Sequence, residues 1–273
     1  MGTLYIVATP IGNLEDVTLR ALRVLRESRL IAAEDTRTTR KLLAHYDIHT
    51  PLTSFHDANA ARKLPAVMEA LGQGDVALVS DAGMPLVSDP GYQLVTEALA
   101  QGLPVVALPG ASAVTTALAA SGLPASQFLF LGFLPRKQGE RRGLLQSMTQ
   151  EPRTLVAFEA PHRLRRTLQE ILSVLGDRHI AVCRELTKLH EEVFRGTVQE
   201  AAEHFAEPRG EFTLVIQGAG PPVAAADADE AGRELLRLRG QGARAKEAVD
   251  TVAATTGLPR RHVYRLWLDL PPL

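Results

Sequence analysis

Short apolar runs alternate along this chain with stretches whose apolar positions recur every three or four residues. The runs are Thr3–Thr9, Leu30–Glu34, Val76–Ser80, Pro104–Leu108, Phe128–Phe133, Thr154–Glu159, Ile180–Arg184 and Phe212–Gln217. Several are near-continuous rather than alternating, as in strands covered on both faces by helices. Between them, Asp16–Glu27, Ala60–Leu71, Tyr92–Ala100, Ala111–Ala119, His162–Leu175 and Val198–Phe205 read as amphipathic helices. Gly102, Gly122 and Gly176 stand where C-caps are expected. Strand alternating with helix predicts an α/β fold.

The rhythm breaks at Gly122-Leu123-Pro124, which reads as a hinge, and the following Arg136–Arg142 stretch carries four cations against one Glu. These breaks divide the α/β region into domains at 1–118 and 119–220. Pro221 to Asp229 is rich in Pro, Ala and Asp without amphipathic pattern, and reads as a linker over 221–229. Beyond it, residues 230–273 predict a small helical domain. Between Gly232 and Arg265 it holds eight cations and three anions, a net of +5 in a chain of net −1. Apolar positions from Ala245 to Val252, Gly257 in a turn, and a second helix Arg260 to Leu268 resemble a helix-turn-helix presenting Arg260 and Arg261. A basic three-helix cap packed on the body would give the same pattern.

Composition excludes more than it assigns. The chain is 45% hydrophobic and 22% charged, ordinary for a globular protein, and nearly neutral overall. Any nucleic-acid contact must therefore come from local patches. The one cysteine, Cys183, lies in an apolar run and reads as a core thiol rather than a nucleophile. No CxxC pair or HExxH suggests a metal. No signal peptide and no apolar run of about 18 residues is present, so a cytoplasmic protein without membrane contact is expected.

Candidate chemistry gathers where strands run into helices, the edge at which open α/β sheets bind ligands. Four such loops are built from small and turn-forming residues: Ala8–Asn13, Ser80–Gly91, Pro109–Ala113 and Glu159–His162. None matches the GxGxxG or GxxxxGK[ST] phosphate loops. They suit an adenosine-like ligand gripped by backbone groups, with an acid such as Asp81 near a hydroxyl. Two polar clusters remain. Asp35 with Arg37 follows the second strand, where an N-cap is the first reading for Asp35 or Thr36 and a hold on substrate by Asp35, Arg37 and Arg40 the second. His56 precedes a helix and could act as a base. Arg184, Glu185 and Lys188 stand at another strand end.

The segments Ala8–Leu14, Ala33–Arg37, Ser54–His56, Val79–Gly91, Leu108–Ser112, Phe158–Arg163, Cys183–Lys188 and Gly210–Leu214 occur in order. Together they resemble the bacterial small-subunit (16S) ribosomal RNA ribose 2′-O-methyltransferases of the tetrapyrrole methylase superfamily. That resemblance implies two α/β domains with S-adenosylmethionine in the cleft between them. It also implies a homodimer acting on a cytidine ribose in the decoding region of the small ribosomal subunit. Carried over by position, donor contacts fall on Pro10, Asp81, Ala82, Gly83, Met84, Ser112 and Ala113. Met84 stands near the Pro of a Gly-Asp-Pro triplet in many relatives, which leaves open how Asp81 to Met84 share the contacts. The expected acceptor of the ribose proton is Asp35 or His56. Arg37, Arg136, Arg141, Arg184, Lys188, Arg260 and Arg261 are expected on RNA. Two other readings stay open at this point: a methyltransferase acting on a tetrapyrrole or other small molecule, and a non-catalytic RNA-binding protein that senses the methyl donor.

Overall fold

A computed structural model describes residues 2–219 and 225–270. The chain divides into two units, Met1–Gly218 and Ala219–Leu273. The first holds two five-stranded sheets. Strands β1 (Leu4–Val7), β2 (Leu30–Ala33), β3 (Leu52–Ser54), β4 (Val76–Val79) and β5 (Val105–Leu108) form an all-parallel sheet in the order β3-β2-β4-β1-β5. Helices α1 (Leu19–Glu27) and α2 (Thr36–His45) cover one face. Helices α3 (Ala60–Gln73) and α4 (Tyr92–Ala100) cover the other. Successive side chains of a strand therefore enter different cores: Val7, Ile31 and Ala33 pack with α1 and α2, whereas Leu4 and Ala32 pack with α3 and α4. This is why these strands read as continuous apolar runs.

The second sheet is mixed, in the order β6-β7-β10-β8-β9. Its strands are β6 (Phe128–Phe133), β7 (Thr154–Glu159), β8 (His179–Arg184), β9 (Glu192–Thr197) and β10 (Phe212–Ile216). Only β6 and β7 run parallel; β10 and β9 are antiparallel to their neighbours. Helices α6 (Gln138–Ser147), α7 (Pro161–Leu175) and α8 (Val198–His204) cover one face, with Leu145, Leu164, Leu168 and Val198 in the core. The other face is covered by α5 (Ala113–Ser121), through Val114, Ala117 and Leu118 against Val156, Ala181, Cys183 and Val215.

The expected boundary between the two α/β domains is at 118/119. That cut falls inside α5, which leaves the first sheet and packs on the second; the turn to β6 starts at Gly122, left-handed at φ 76°. The expected linker spans 221–229. Residues 221–224 lie outside the described residues, and helix α9 (Ala225–Gly240) takes the rest.

In the second unit α9, α10 (Ala245–Thr256) and α11 (Arg260–Leu268) bury Ala231, Leu235, Val249, Val252 and Val263 against one another. Gly257 ends α10 in the left-handed conformation at φ 70°, turning the chain into α11. Arg239 stacks over the Trp267 ring, 5.4 Å from its centre. Among the described residues no helix is long and apolar enough to cross a membrane.

Candidate functional site

Strand order places the site. From β1 the chain crosses over β4 to β2, whereas from β4 it crosses over β1 to β5. The loops after these neighbours leave in opposite directions and open a crevice at their carboxyl ends. The two loops are stitched together: Thr9 and Gly83 exchange both backbone hydrogen bonds, each 2.9 Å, and the Thr9 hydroxyl donates to the Ser80 carbonyl. The β4 loop then turns through left-handed conformations at Gly83, Leu86, Ser88 and Gly91. At Gly91 a Cβ would lie 2.6 Å from Leu78 Cδ2, so only glycine lets α4 start against β4.

Over this crevice stands the second sheet. A cavity of about 390 Å³ lies between them. On the first-sheet side are Ile11, Glu34, Asp81, Ala82, Gly83, Met84 and Asp89; Ser112, Ala113 and Val114 at the start of α5 form another edge. The facing wall comes from Phe133, Phe158, Glu159, Cys183, Leu186 and the Glu211–Thr213 segment. Its size suits one small organic ligand, and its mix of aromatic walls with a few acids suits a ligand both apolar and cationic.

The acids set the electrostatics. Burial raises the pKa of Glu34 and of Asp81. Burial also lifts Asp89 to about 6 from 3.8; the negative charges of Glu34 and Asp81 add to the rise, and the Ser80 hydroxyl opposes it. Three carboxyl groups crowded beside apolar walls carry an unbalanced negative potential that a cation would relieve. Asp81 Oδ1 accepts from the Asp35 backbone N–H at 3.0 Å, which fixes its direction. Glu159 is different: it is buried and occupied by the Thr167 hydroxyl (2.6 Å), the Ala160 N–H (2.7 Å) and Arg163. It pins the start of α7. Cys183 lines the cavity as a thiol that burial raises to about 11, a core residue as expected.

A second cavity, of about 360 Å³, adjoins the first and shares Ile11, Asp81, Ala82 and Glu211 with it. Thr9, Pro10, Gly12, Leu14, Thr38, Thr39, Lys41, Leu42, Ser80 and Lys188 complete its lining. Of the expected donor contacts, Asp81, Ala82, Gly83, Met84, Ser112 and Ala113 thus line the first cavity, while Pro10 lines the second.

Several other expectations are relocated. Asp35 is the N-cap of α2, accepting from the Arg37 N–H at 2.8 Å, and its carboxylate is forked onto the Arg37 guanidinium. That arginine holds Asp35 at about pKa 2, and Asp35 lines neither cavity. His56 also lines neither; Asn59 holds its ring at 3.0 Å and its N–H at 2.9 Å. The expected Arg136–Arg142 loop is largely helix α6. Arg141 there is only 2% exposed and forks onto Glu170 at 2.7 and 2.8 Å, with Nη1 on the Pro135 carbonyl. It anchors α6 to α7 and is closed to RNA. Arg184 is likewise engaged, with the Arg209 carbonyl (2.8 Å) and Glu192 (3.2 Å). Exposed guanidinium groups remain at Arg37, itself paired with Asp35, and at Arg136, Arg260 and Arg261, with Arg260 beside Asp250.

Sequence reasoning passed over Glu34, Asp89 and Glu211 as site residues. The signal was available for Glu34, which directly follows β2 at the ligand edge. Glu211 precedes β10, and β10 runs antiparallel to β7 and β8, so its start lies at the same edge as their ends.

The similarities of the chain agree with this geometry. Residues 3–202 match the family described as Tetrapyrrole (Corrin/Porphyrin) Methylases. The chain is 48% identical over 276 residues to the ribosomal RNA small subunit methyltransferase I of Halalkalibacterium halodurans, covering 97% of this chain and 94% of that one. It is 53% identical over 221 residues to the protein of that name from Thermotoga maritima, covering 80% and 99%. Among solved structures, it resembles the uroporphyrin-III C-methyltransferase of Thermus thermophilus complexed with S-adenosylhomocysteine. That likeness has a TM-score of 0.56 and 23% identity over 79% of this chain and 97% of that one, and speaks to the fold.

Proposed function

Since the chain belongs to the tetrapyrrole methylase family, and within it to the ribosomal RNA small subunit methyltransferase I proteins, we infer that it methylates small-subunit (16S) ribosomal RNA with S-adenosylmethionine. The acceptor is the ribose 2′-hydroxyl of a cytidine in the decoding region. One observation carries the choice of donor: Glu34, Asp81 and Asp89 converge on an apolar cavity at the strand-order switch point. A sulfonium bearing an ammonium matches that potential, and Phe133, Phe158 and Met84 offer apolar surface to the rest. When bound, such a donor supplies a methyl group on a positively charged sulfur that leaves as a neutral thioether.

The residues of the chain do the rest. Ser112 and Ala113 bring the N–H groups of the α5 start, which Ser112 does not cap with its side chain, to the cavity, where they can hold polar groups of the donor. The aromatic walls exclude water and strengthen the pull of the acids. Outside the cleft, Arg37 and Arg136 lie exposed for phosphates. Arg260, Arg261 and Arg265 stand exposed on α11, the second helix of the helix-turn-helix-like pair. The +5 charge of that segment favours RNA over a small-molecule acceptor, because a tetrapyrrole gives no reason for a basic helical appendage.

A homodimer belongs to the same reading. Tyr92 and Leu99 on α4, and Phe128 and Phe133 on edge strand β6, are large apolar side chains exposed to solvent, as a partner surface requires. Sedimentation equilibrium tests it; a monomer at micromolar concentration overturns it. The reaction itself is tested with purified protein, radiolabelled S-adenosylmethionine and small subunits lacking the modification. Label mapping to one cytidine ribose is the expected result. Label on a tetrapyrrole, or on no acceptor although the protein binds RNA, would replace this reading with one of the two others.

A further inference from the structure

The wall shared by the two cavities contains two carboxylates, Asp81 and Glu211, and they are held very differently. Asp81 belongs to the floor, fixed by the Asp35 N–H. Glu211 reaches in from the second sheet. Its Oε2 accepts from Lys188 Nζ at 2.8 Å, and among the described residues its other carboxylate oxygen has no donor. The same Lys188 ammonium donates to Glu185 Oε1 at 3.0 Å, and that oxygen also accepts the Glu211 N–H at 2.8 Å. Backbone closes the ring, with the Glu185 N–H donating to the Glu211 carbonyl at 2.9 Å.

This arrangement is over-determined. Glu185 (φ 50°) and Thr187 (φ 65°) both sit in the left-handed region, which costs a non-glycine residue free energy. Two close approaches hold them there. A Cβ at Gly210 would lie 2.6 Å from Glu185 Cγ, and one at Gly12 would lie 2.5 Å from Lys188 Cγ. The Asn13 N–H donates to the Thr187 hydroxyl at 3.0 Å, tying the first loop of the first sheet to this turn. Strain maintained by contacts from two sheets, at the mouth of two cavities, points to placement of a group that must not drift. Lys188 itself shows why: burial would lower its pKa, but the hydrogen bonds to Glu211 and Glu185 carry it upward, so it stays charged and holds the carboxylate.

We propose that the second cavity seats the acceptor nucleotide of the RNA and that Glu211, oriented by Lys188, accepts the hydrogen bond of its ribose hydroxyl at the shared wall. The inference rests on the methyl-transfer reading above and adds the residues that aim the hydroxyl. Lys41 and Thr38 also line this cavity, a chemistry suited to the phosphate and polar edges of an unstacked nucleotide. Glu211 touches the acceptor; Lys188 is a positioning residue acting through it. At 76% side-chain exposure, Glu211 can change without disturbing a core.

The test uses the full-length protein and unmodified small subunits, with three variants: Glu211→Gln, Glu211→Asp and Lys188→Met. Three quantities are read: kcat on saturating subunits, affinity for S-adenosylmethionine by calorimetry without RNA, and affinity for subunits without donor. Glu211→Gln is expected to lower kcat about 10²-fold, leaving donor affinity within a factor of two. Glu211→Asp should recover part of the loss, and Lys188→Met should lower kcat less than Glu211→Gln. Wild-type kcat in Glu211→Gln overturns the proposal, as does a loss confined to donor affinity, which would make Glu211 a donor contact rather than an acceptor contact. Absence of methyl transfer by the unaltered protein would instead overturn the underlying function, so the two failures are distinguishable.

Discussion

The two walls of the cleft come from sheets of the same size, yet they are made by opposite means. On the first-sheet side, parallel strands end together and their loops fan into helices, so Glu34 and Asp81 reach the cavity simply by standing at strand ends. On the facing side the sheet is mixed, and its residues arrive from the end of β7, the turn after β8 and the start of β10. That wall depends on close backbone approaches at Gly12 and Gly210 and on left-handed turns at Glu185 and Thr187. The first wall is therefore a consequence of topology, the second a consequence of particular contacts, and single substitutions should damage them unequally.

The largest expected effect is on the second sheet. Arg141→Met leaves Glu170 buried with only Arg166 nearby, and should cost about 3–5 kcal/mol in chemical denaturation. The double variant Arg141→Met/Glu170→Leu should regain most of it. If the single variant is as stable as the parent and loses RNA affinity instead, Arg141 does face RNA. Next comes the seam between the walls. Gly12→Ala pushes a methyl into Lys188 and Thr187, and should cost about 1–3 kcal/mol while lowering kcat about 10²-fold. An unchanged kcat would show that the walls need not be held in register.

How much of this was legible beforehand follows the same division. The parallel sheet announced itself, because each strand buried on both faces is a solid apolar run and each glycine-rich loop follows one. Its edge strand β3 did not: Leu52-Thr53-Ser54 is short and mostly polar. Strand β9 hid as well, since Glu192 to Thr197 mixes charged, apolar and small residues without alternation, next to a dense ionic run. Four cations around residue 140 read as an RNA loop, whereas the structure buries one of them against Glu170, a carboxylate 29 positions away that no local pattern could pair with it. Glu211 was visible inside a motif, but its direction depends on an antiparallel pairing that periodicity does not reveal.

A smaller effect separates the acids of the first wall. Asp89 titrates near pH 6 in the folded protein and near 3.8 when unfolded, so the folded state holds the extra proton between those values. Its contribution to stability is present below pH 3.8 and is lost as pH rises through 6. Asp89→Asn should therefore raise the melting temperature at pH 7.5 relative to the parent and gain nothing at pH 3.5. For a cationic donor the sign reverses: affinity should rise with pH through 6 in the parent and become flatter in Asp89→Asn, measured by calorimetry at pH 5.5 and 7.5. A parent affinity that ignores pH would separate Asp89 from the donor. The smallest effect lies in the second unit. Arg260→Ala/Arg261→Ala should make the salt dependence of subunit binding shallower by about 1 to 2 in log–log slope, with donor affinity unchanged. An unaltered slope would remove α11 from the RNA surface.

Helix α5 has a consequence for how the molecule could be taken apart. Its first turn grips the cleft from the loop after β5, and its body lies on the second sheet. A chimera spliced at residue 118 would take half of this helix from each parent and would pair one parent's donor loop with the other's apolar bed. The segment from Pro109 to Ser121 is inherited with the second sheet, so the workable crossover point lies just after β5.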